Sequence, residues 1–350
     1  NLPGCEKVIP LRKSMAGSHW LLLWAKCALT PWDIVVDLRA SAISWLLPTK
    51  KRLILNIKLC VAQIILMLMP ATILLVGLTL FPFIVSLILS FTDYSLLRPG
   101  QTKFIFLNNY IELMKTDEFW IALRVTVVFT VLAVFIQVVL GVVFATLLHN
   151  ENSNVSLLRT LYLLPLAITP IAATFTFRLM FNPSLGVLNY FMKLLGLEPQ
   201  AWLASPNTAM ISLIIVDTWQ WTPFILLICL GGLASLPSEP FEAAKVDGAS
   251  SWQIFTKITV PMLYPFIGLA LLFRSIDAFK TFDIIYVLTS GGPGILTRTL
   301  NLYAFKHGIE YLSMGYAGSI AIVMLIITIV VAQIFLRKNK LLLPKDTLKR

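Results

Sequence analysis

Val125-Thr-Val-Val-Phe-Thr-Val-Leu-Ala-Val-Phe-Ile-Gln-Val-Val-Leu-Gly-Val-Val-Phe-Ala-Thr-Leu-Leu-His-Asn150 holds no Asp, Glu, Lys or Arg; Arg124 precedes it and Glu151 follows it. A helix that crosses a bilayer needs about 20 mostly apolar residues, and this stretch exceeds that length. Similar uncharged runs lie between Lys58 and Asp93, Arg159 and Arg178, Asp217 and Glu239, and Glu310 and Arg337. A shorter one begins after Lys257 and keeps its apolar pattern past Arg274 to Leu288. The spacing predicts six spans, at 60–90, 121–148, 158–180, 209–235, 261–288 and 314–336. Backbone amides in lipid need partners within the segment, so the spans are expected to be helices. The alternating polarity of a membrane β-barrel is not seen.

Composition agrees. Charged residues are 13% of the 350, against about 25% in soluble domains, and the hydrophobic fraction is 58%. Mean hydropathy is +0.84. An ordinary soluble enzyme and a disordered chain are excluded. The expected fold class is all-α: a polytopic membrane protein built as a six-helix transmembrane bundle.

The net charge of +11 would suit nucleic acid, but its placement argues for topology. Lys50, Lys51, Arg52 and Lys58 precede the first span; Arg337, Lys338, Lys340, Lys345, Lys349 and Arg350 follow the last. Basic residues mark cytoplasmic flanks, so both termini are expected inside, and no nucleic-acid partner is expected. The expected organisation is an N-terminal cytoplasmic or interfacial segment over 1–58, or a leader foreign to the domain. A six-span domain over 59–337 follows, then a basic tail over 338–350. Cys5, Cys27, Cys60 and Cys229 have no metal-site spacing, and His19, His149 and His307 are isolated. No phosphate-binding glycine loop or nucleophile elbow occurs. Neither a catalytic residue, a metal nor a cofactor is expected on this chain.

The cytoplasmic loop 237–260 carries the most distinctive pattern. Glu242, Ala243, Ala244 and Val246 suit one short helix, and Gly248 a sharp turn. Trp252, Phe255 and Ile258 form an apolar stripe on a second helix, which Pro261 leads into the next span. Such a stripe packs either on its own bundle or on another protein.

Glu242-Ala243-Ala244, Asp247-Gly248-Ala249, Phe255, Ile258, Pro261 and Pro265 together resemble the EAA loop of ABC importer membrane subunits. In place of the usual Leu before the proline stands Val260. Asp277-Ala-Phe-Lys-Thr-Phe-Asp283-Ile-Ile-Tyr286-Val-Leu-Thr289-Ser-Gly-Gly-Pro293 resembles the carbohydrate-permease branch. So do Ser90-Phe91-Thr92 with Asn108-Asn109-Tyr110, and Trp219-Gln-Trp-Thr-Pro223. The resemblance covers residues 60–340 and implies a bacterial or archaeal cytoplasmic-membrane permease of the type I importer kind. It implies alternating access, with ATP and Mg on separate ATP-binding subunits, a second permease subunit and an extracytoplasmic solute-binding protein. ATPase coupling would fall to Glu242, Ala243, Ala244, Asp247, Gly248, Phe255 and Pro261.

Charged groups inside spans are costly and are candidates for function. Asp217 beside Trp219, Gln220 and Trp221 suits a sugar, whose ring stacks on aromatic faces while its hydroxyls hydrogen-bond. Arg274, Asp277, Lys280 and Asp283 step by three, so they can form a self-neutralising ladder or reach solute. A glycerol-3-phosphate-type importer, with Arg178 or Arg274 as its positive site, and an ion-coupled secondary transporter are the alternatives.

Overall fold

The structure is a computed structural model that describes residues 49–98, 100–149 and 153–339. The expectations for the N-terminal segment up to residue 48 and for the tail from residue 340 lie outside the described residues. The chain divides into two compact units, 1–81 and 82–350. Helix α1 (Thr49–Ser90) runs through the boundary, and its side chains from Ile65 to Phe81 are all exposed. A helix apolar on every side is stable only with lipid or a protein partner around it.

The second unit is helical among the described residues, apart from an isolated antiparallel bridge between Thr92 and Phe104. Its helices are α2 (Asn108–Lys115), α3 (Asp117–Leu147), α4 (Ser153–Ala167), α5 (Pro170–Met180), α6 (Val187–Leu194) and α7 (Ala209–Ala234). Then come α8 (Glu239–Val246), α9 (Ser251–Ile254), α10 (Val260–Phe279), α11 (Asp283–Leu288), α12 (Leu300–Phe305) and α13 (Met314–Asn339). A π-helical turn, Phe255–Thr259, joins α9 to α10. Among the described residues, five helical segments are long and apolar enough to cross a membrane singly: Ile65–Ser90, Asp117–Leu147, Ala209–Ala234, Ser251–Phe279 and Met314–Arg337.

Two of the six expected spans differ from straight helices. The third is a pair, Leu157–Ala167 and Pro170–Met180, bent by 95°. Pro170 disfavours helical backbone at the residue before it, and Thr169 is accordingly extended (φ −62°, ψ 137°). The fifth stops at Phe279 and resumes as α11 after Lys280–Phe282. The charge ladder is therefore corrected: the helix supporting its i,i+3 spacing ends before Lys280, and neither Lys280 nor Asp283 joins the Arg274–Asp277 pair.

Helix α7 packs mainly along α3, and α10 packs against both. Small side chains make this possible. Ala122, Thr126, Ala133, Gln137, Gly141 and Ala145 of α3 are buried along one face. At Gly141 a Cβ would lie 2.7 Å from Cγ2 of Ile225, so only glycine admits that approach, as at many membrane helix contacts.

Apolar clusters occupy the two ends of the bundle. Leu113, Phe119, Leu300, Tyr303 and Ile320 pack at one. Val142, Ala145, Leu226, Leu233 and Leu263 pack at the other, beside Phe255. The loop motif Ser90-Phe91-Thr92 with Asn108-Asn109-Tyr110 is a local clasp at the first end. Nδ2 of Asn109 donates to the carbonyls of Ser90 (2.9 Å) and Thr92 (2.8 Å), and Oγ of Ser90 lies 2.7 Å from the Tyr110 hydroxyl.

Candidate functional site

Between the two ends, α3, α7 and α10 each turn a polar side chain inward. Nε of Arg274 donates to Oε1 of Gln137 at 2.9 Å. Its Nη2 reaches both carboxylate oxygens of Asp217, at 2.7 and 2.6 Å, and its Nη1 reaches Oδ2 of Asp277 at 2.6 Å. Nε2 of Gln137 donates to Oδ2 of Asp217 at 2.8 Å and to its carbonyl at 3.0 Å. Trp221 covers the guanidinium, 4.9 Å from its ring centroid.

Arg274 is 1% exposed and Asp217 0%. A buried charge is tolerated only when paired and hydrogen-bonded, and both conditions are met. The Asp277 side chain is 55% exposed. It is the part of the network that reaches the surface, while Asp217 is sealed behind Arg274.

The other expected pathway residues spread around this centre. Gln220 is buried, and its Nε2 donates to the carbonyls of Pro165 and Ile168, both at 2.9 Å. These carbonyls lie at the bend of the third span, so Gln220 pins the elbow. Trp219 points elsewhere, edge-on to Phe177 at 5.1 Å, and is partly exposed. Lys280 caps α10 and Asp283 opens α11. Arg178, on α5, donates from Nη1 to the carbonyl of Val287 at 3.0 Å. Gln137 was missed by sequence reasoning. Its one signal is an amide inside an apolar run, a pattern that membrane helices use for contact between helices.

The second candidate region lies at the bundle end that holds Leu233 and Leu263. Helix α8 has Glu239 and Glu242 in its first turn and Lys245 in its last, which suits the helix dipole. It ends in a Schellman motif: the Ala249 amide donates to the Ala244 carbonyl (2.9 Å) and that of Gly248 to Lys245 (3.1 Å). Gly248 sits at φ +75°, where an L side chain is strained. A capping box then opens α9, with Ser250 and Gln253 bonded reciprocally.

The turn leaves Val246 87% and Trp252 71% exposed. Trp252 lies 5.6 Å from Phe255, which is half-buried against the bundle. Glu242, Ala243, Asp247 and Pro261 are also exposed. A cavity of about 760 Å³ lies between this turn and the ends of α3 and α7, lined by Leu147, Leu236, Phe241, Glu242, Lys245 and Trp252 among others. Among the described residues, no group of three His, Cys, Asp or Glu side chains is placed to hold a metal ion.

Comparison with known proteins gives this geometry a family. The chain is 41% identical over 254 residues to a probable ABC transporter permease protein, y4oQ, of Sinorhizobium fredii, covering 72% of this chain and 82% of that one. It is 40% identical over 207 residues to the trehalose/maltose transport system permease protein MalF of Thermococcus litoralis, covering 59% and 70%. It is 34% identical over 273 residues to the sulfoquinovosyl glycerol transport system permease protein SmoG of Agrobacterium fabrum, covering 78% and 89%. The fold resembles a chain of a bacterial ABC transporter that imports the acidic polysaccharide alginate. There the TM-score is 0.73 at 21% identity, over 84% of this chain and 100% of that one. The family described as binding-protein-dependent transport system inner membrane component matches residues 53–341. The chain belongs to that family and is a permease subunit of an ABC-type importer.

Proposed function

We propose that this permease carries a sugar or polyol inward by alternating access, and that the α8–α9 turn receives the driving force from an ATP-binding subunit. The observation that carries the reading is the turn itself. It is held rigidly by a Schellman motif and a capping box, yet it presents Val246 and Trp252 to the outside. An exposed apolar surface on a rigid turn suits docking into another protein. Glu242, Ala243, Ala244, Asp247, Gly248, Phe255 and Pro261 would set its shape and attachment. The turn joins α7 to α10, which carry Asp217 and Arg274, so force applied there acts on both members of the buried ion pair.

In this reading the solute meets Asp277, with Trp219, Lys280 and Asp283 at the margins of the path. Asp217, Gln220 and Trp221 support these groups from behind. The trehalose/maltose and sulfoquinovosyl glycerol systems of the relatives favour a carbohydrate. The remaining components would be a second permease subunit and an extracytoplasmic solute-binding protein. Both termini would lie in the cytoplasm, and ATP and Mg would bind the ATP-binding subunits.

The test is Gly248→Trp in the complete complex. ATP-driven uptake should fall to background, and co-purification with the ATP-binding subunit should weaken. Retention of both would refute the docking role. Asp277→Ala should reduce uptake while assembly persists; loss of assembly instead would show that Asp277 serves packing.

A further inference from the structure

We infer that the intramembrane site admits neutral saccharides and rejects anionic ones, because its arginine is consumed internally and the charge left facing outward is a carboxylate. This rests on the proposed reading of the Asp277 region as part of the solute path. Relatives and fold neighbours include transport systems for trehalose/maltose, for sulfoquinovosyl glycerol and for the acidic polysaccharide alginate, so the fold does not decide the charge of the solute. The side chains of this chain do.

An anionic sugar needs a cation with free donors, and a guanidinium with a carboxylate or sulfonate in its fork is the natural choice. Arg274 cannot serve. All three of its nitrogens are hydrogen-bonded to Gln137, Asp217 and Asp277, one face lies against Trp221, and 1% of it is exposed. Arg274, Asp217 and Asp277 together carry one excess negative charge, and that excess is presented by the 55%-exposed Asp277.

The flanking charges do not reverse this. Lys280 is followed by Asp283 at the start of α11, and Arg178, on α5, donates to the carbonyl of Val287 farther along α11. A carboxylate whose second oxygen is open accepts hydrogen bonds from sugar hydroxyls, and it repels an anion brought to the same place.

Specificity in uptake also depends on the solute-binding protein, so the experiment removes it. The complete permease–ATPase complex in nanodiscs is tested by saturation-transfer NMR with two probes: trehalose, and a disaccharide of the same size bearing one uronate. Trehalose should bind and the uronate should bind at least about tenfold more weakly, the ratio that a like-charge repulsion of about 1.4 kcal/mol produces. Asp277→Asn should bring the two within about threefold of each other, and Asp277→Lys should reverse the order.

Equal or tighter uronate binding by the unaltered complex overturns the inference and leaves the saccharide reading standing. This comparison needs no variant. Persistence of the discrimination in Asp277→Asn overturns the assignment to Asp277. If neither probe binds and neither enters vesicles with the solute-binding protein restored, the saccharide reading itself fails, and the inference falls with it.

Discussion

The Asp217–Arg274 pair makes an asymmetric prediction. Replacing Arg274 by Met leaves the Asp217 carboxylate at 0% exposure with the Gln137 amide at 2.8 Å as its remaining side-chain donor. Removing one partner of a buried ion pair costs about 3–5 kcal/mol, because the other charge is stranded. Arg274→Met should sit in that range. Asp217→Leu strands Arg274 less completely, since Asp277 at 2.6 Å and Gln137 at 2.9 Å remain. Its cost should be smaller, about 2–3 kcal/mol. The double variant Asp217→Leu/Arg274→Met removes both charges, and buried pairs replaced by apolar side chains are often near neutral. It should fall within about 2 kcal/mol of the unaltered protein, so the coupling energy is at least about 2 kcal/mol. Equilibrium unfolding in mixed micelles, read by tryptophan fluorescence on the purified subunit, measures all four corners of the cycle. Costs that add within about 0.5 kcal/mol, the expectation for independent sites, would show that the two side chains do not hold each other. A larger cost for Asp217→Leu than for Arg274→Met would show that Asp277 does not share the arginine.

Other consequences are more local. Gly141→Leu must displace Ile225 and should cost about 1–3 kcal/mol by overpacking, whereas Gly231→Ala, which meets nothing within 4 Å, should be neutral or stabilising; thermal unfolding of the two variants separates these cases. Gln220→Leu removes both bonds to the elbow carbonyls and should speed amide exchange around residues 165–173 more than elsewhere, at a cost of about 1–3 kcal/mol. Burial against Tyr303, Tyr311 and Tyr316 holds the His307 pKa below its ordinary value; Glu118 partly opposes this and Arg298 adds to it. The unfolded chain then binds the proton first, so stability should decline as pH falls through about 6.5. In His307→Phe that component of the pH dependence should vanish.

The places of the long apolar helices were legible because they depend on quantities local to the chain. Charge-free length and the apolar pattern decide whether a segment enters lipid, and no distant contact can change that. The α8–α9 turn was legible for the same reason. Its stop signal is Gly248, its restart signal is Ser250 with Gln253, and each acts within six residues. The bend at Thr169–Pro170 was written just as locally, but hydropathy does not register it, because the residues on either side are equally apolar.

The charge network was legible by half. Spacing of three along one helix correctly joined Arg274 to Asp277, since both lie on α10. The same arithmetic extended the row to Lys280 and Asp283, where the helix has already ended at Phe279. Arg274 instead takes Asp217 and Gln137, which precede it by 57 and 137 residues on other helices. No period within one segment encodes those partners. They are selected where small residues on α3 let α7 approach closely enough for a short amide and a short carboxylate to meet one guanidinium. A polar residue in a span therefore announces that a partner exists, through the cost of leaving it alone in lipid. It does not name the partner. That is why Asp217, which reads from sequence as a ligand for sugar, is held by Arg274, and why the carboxylate left exposed is the one on α10.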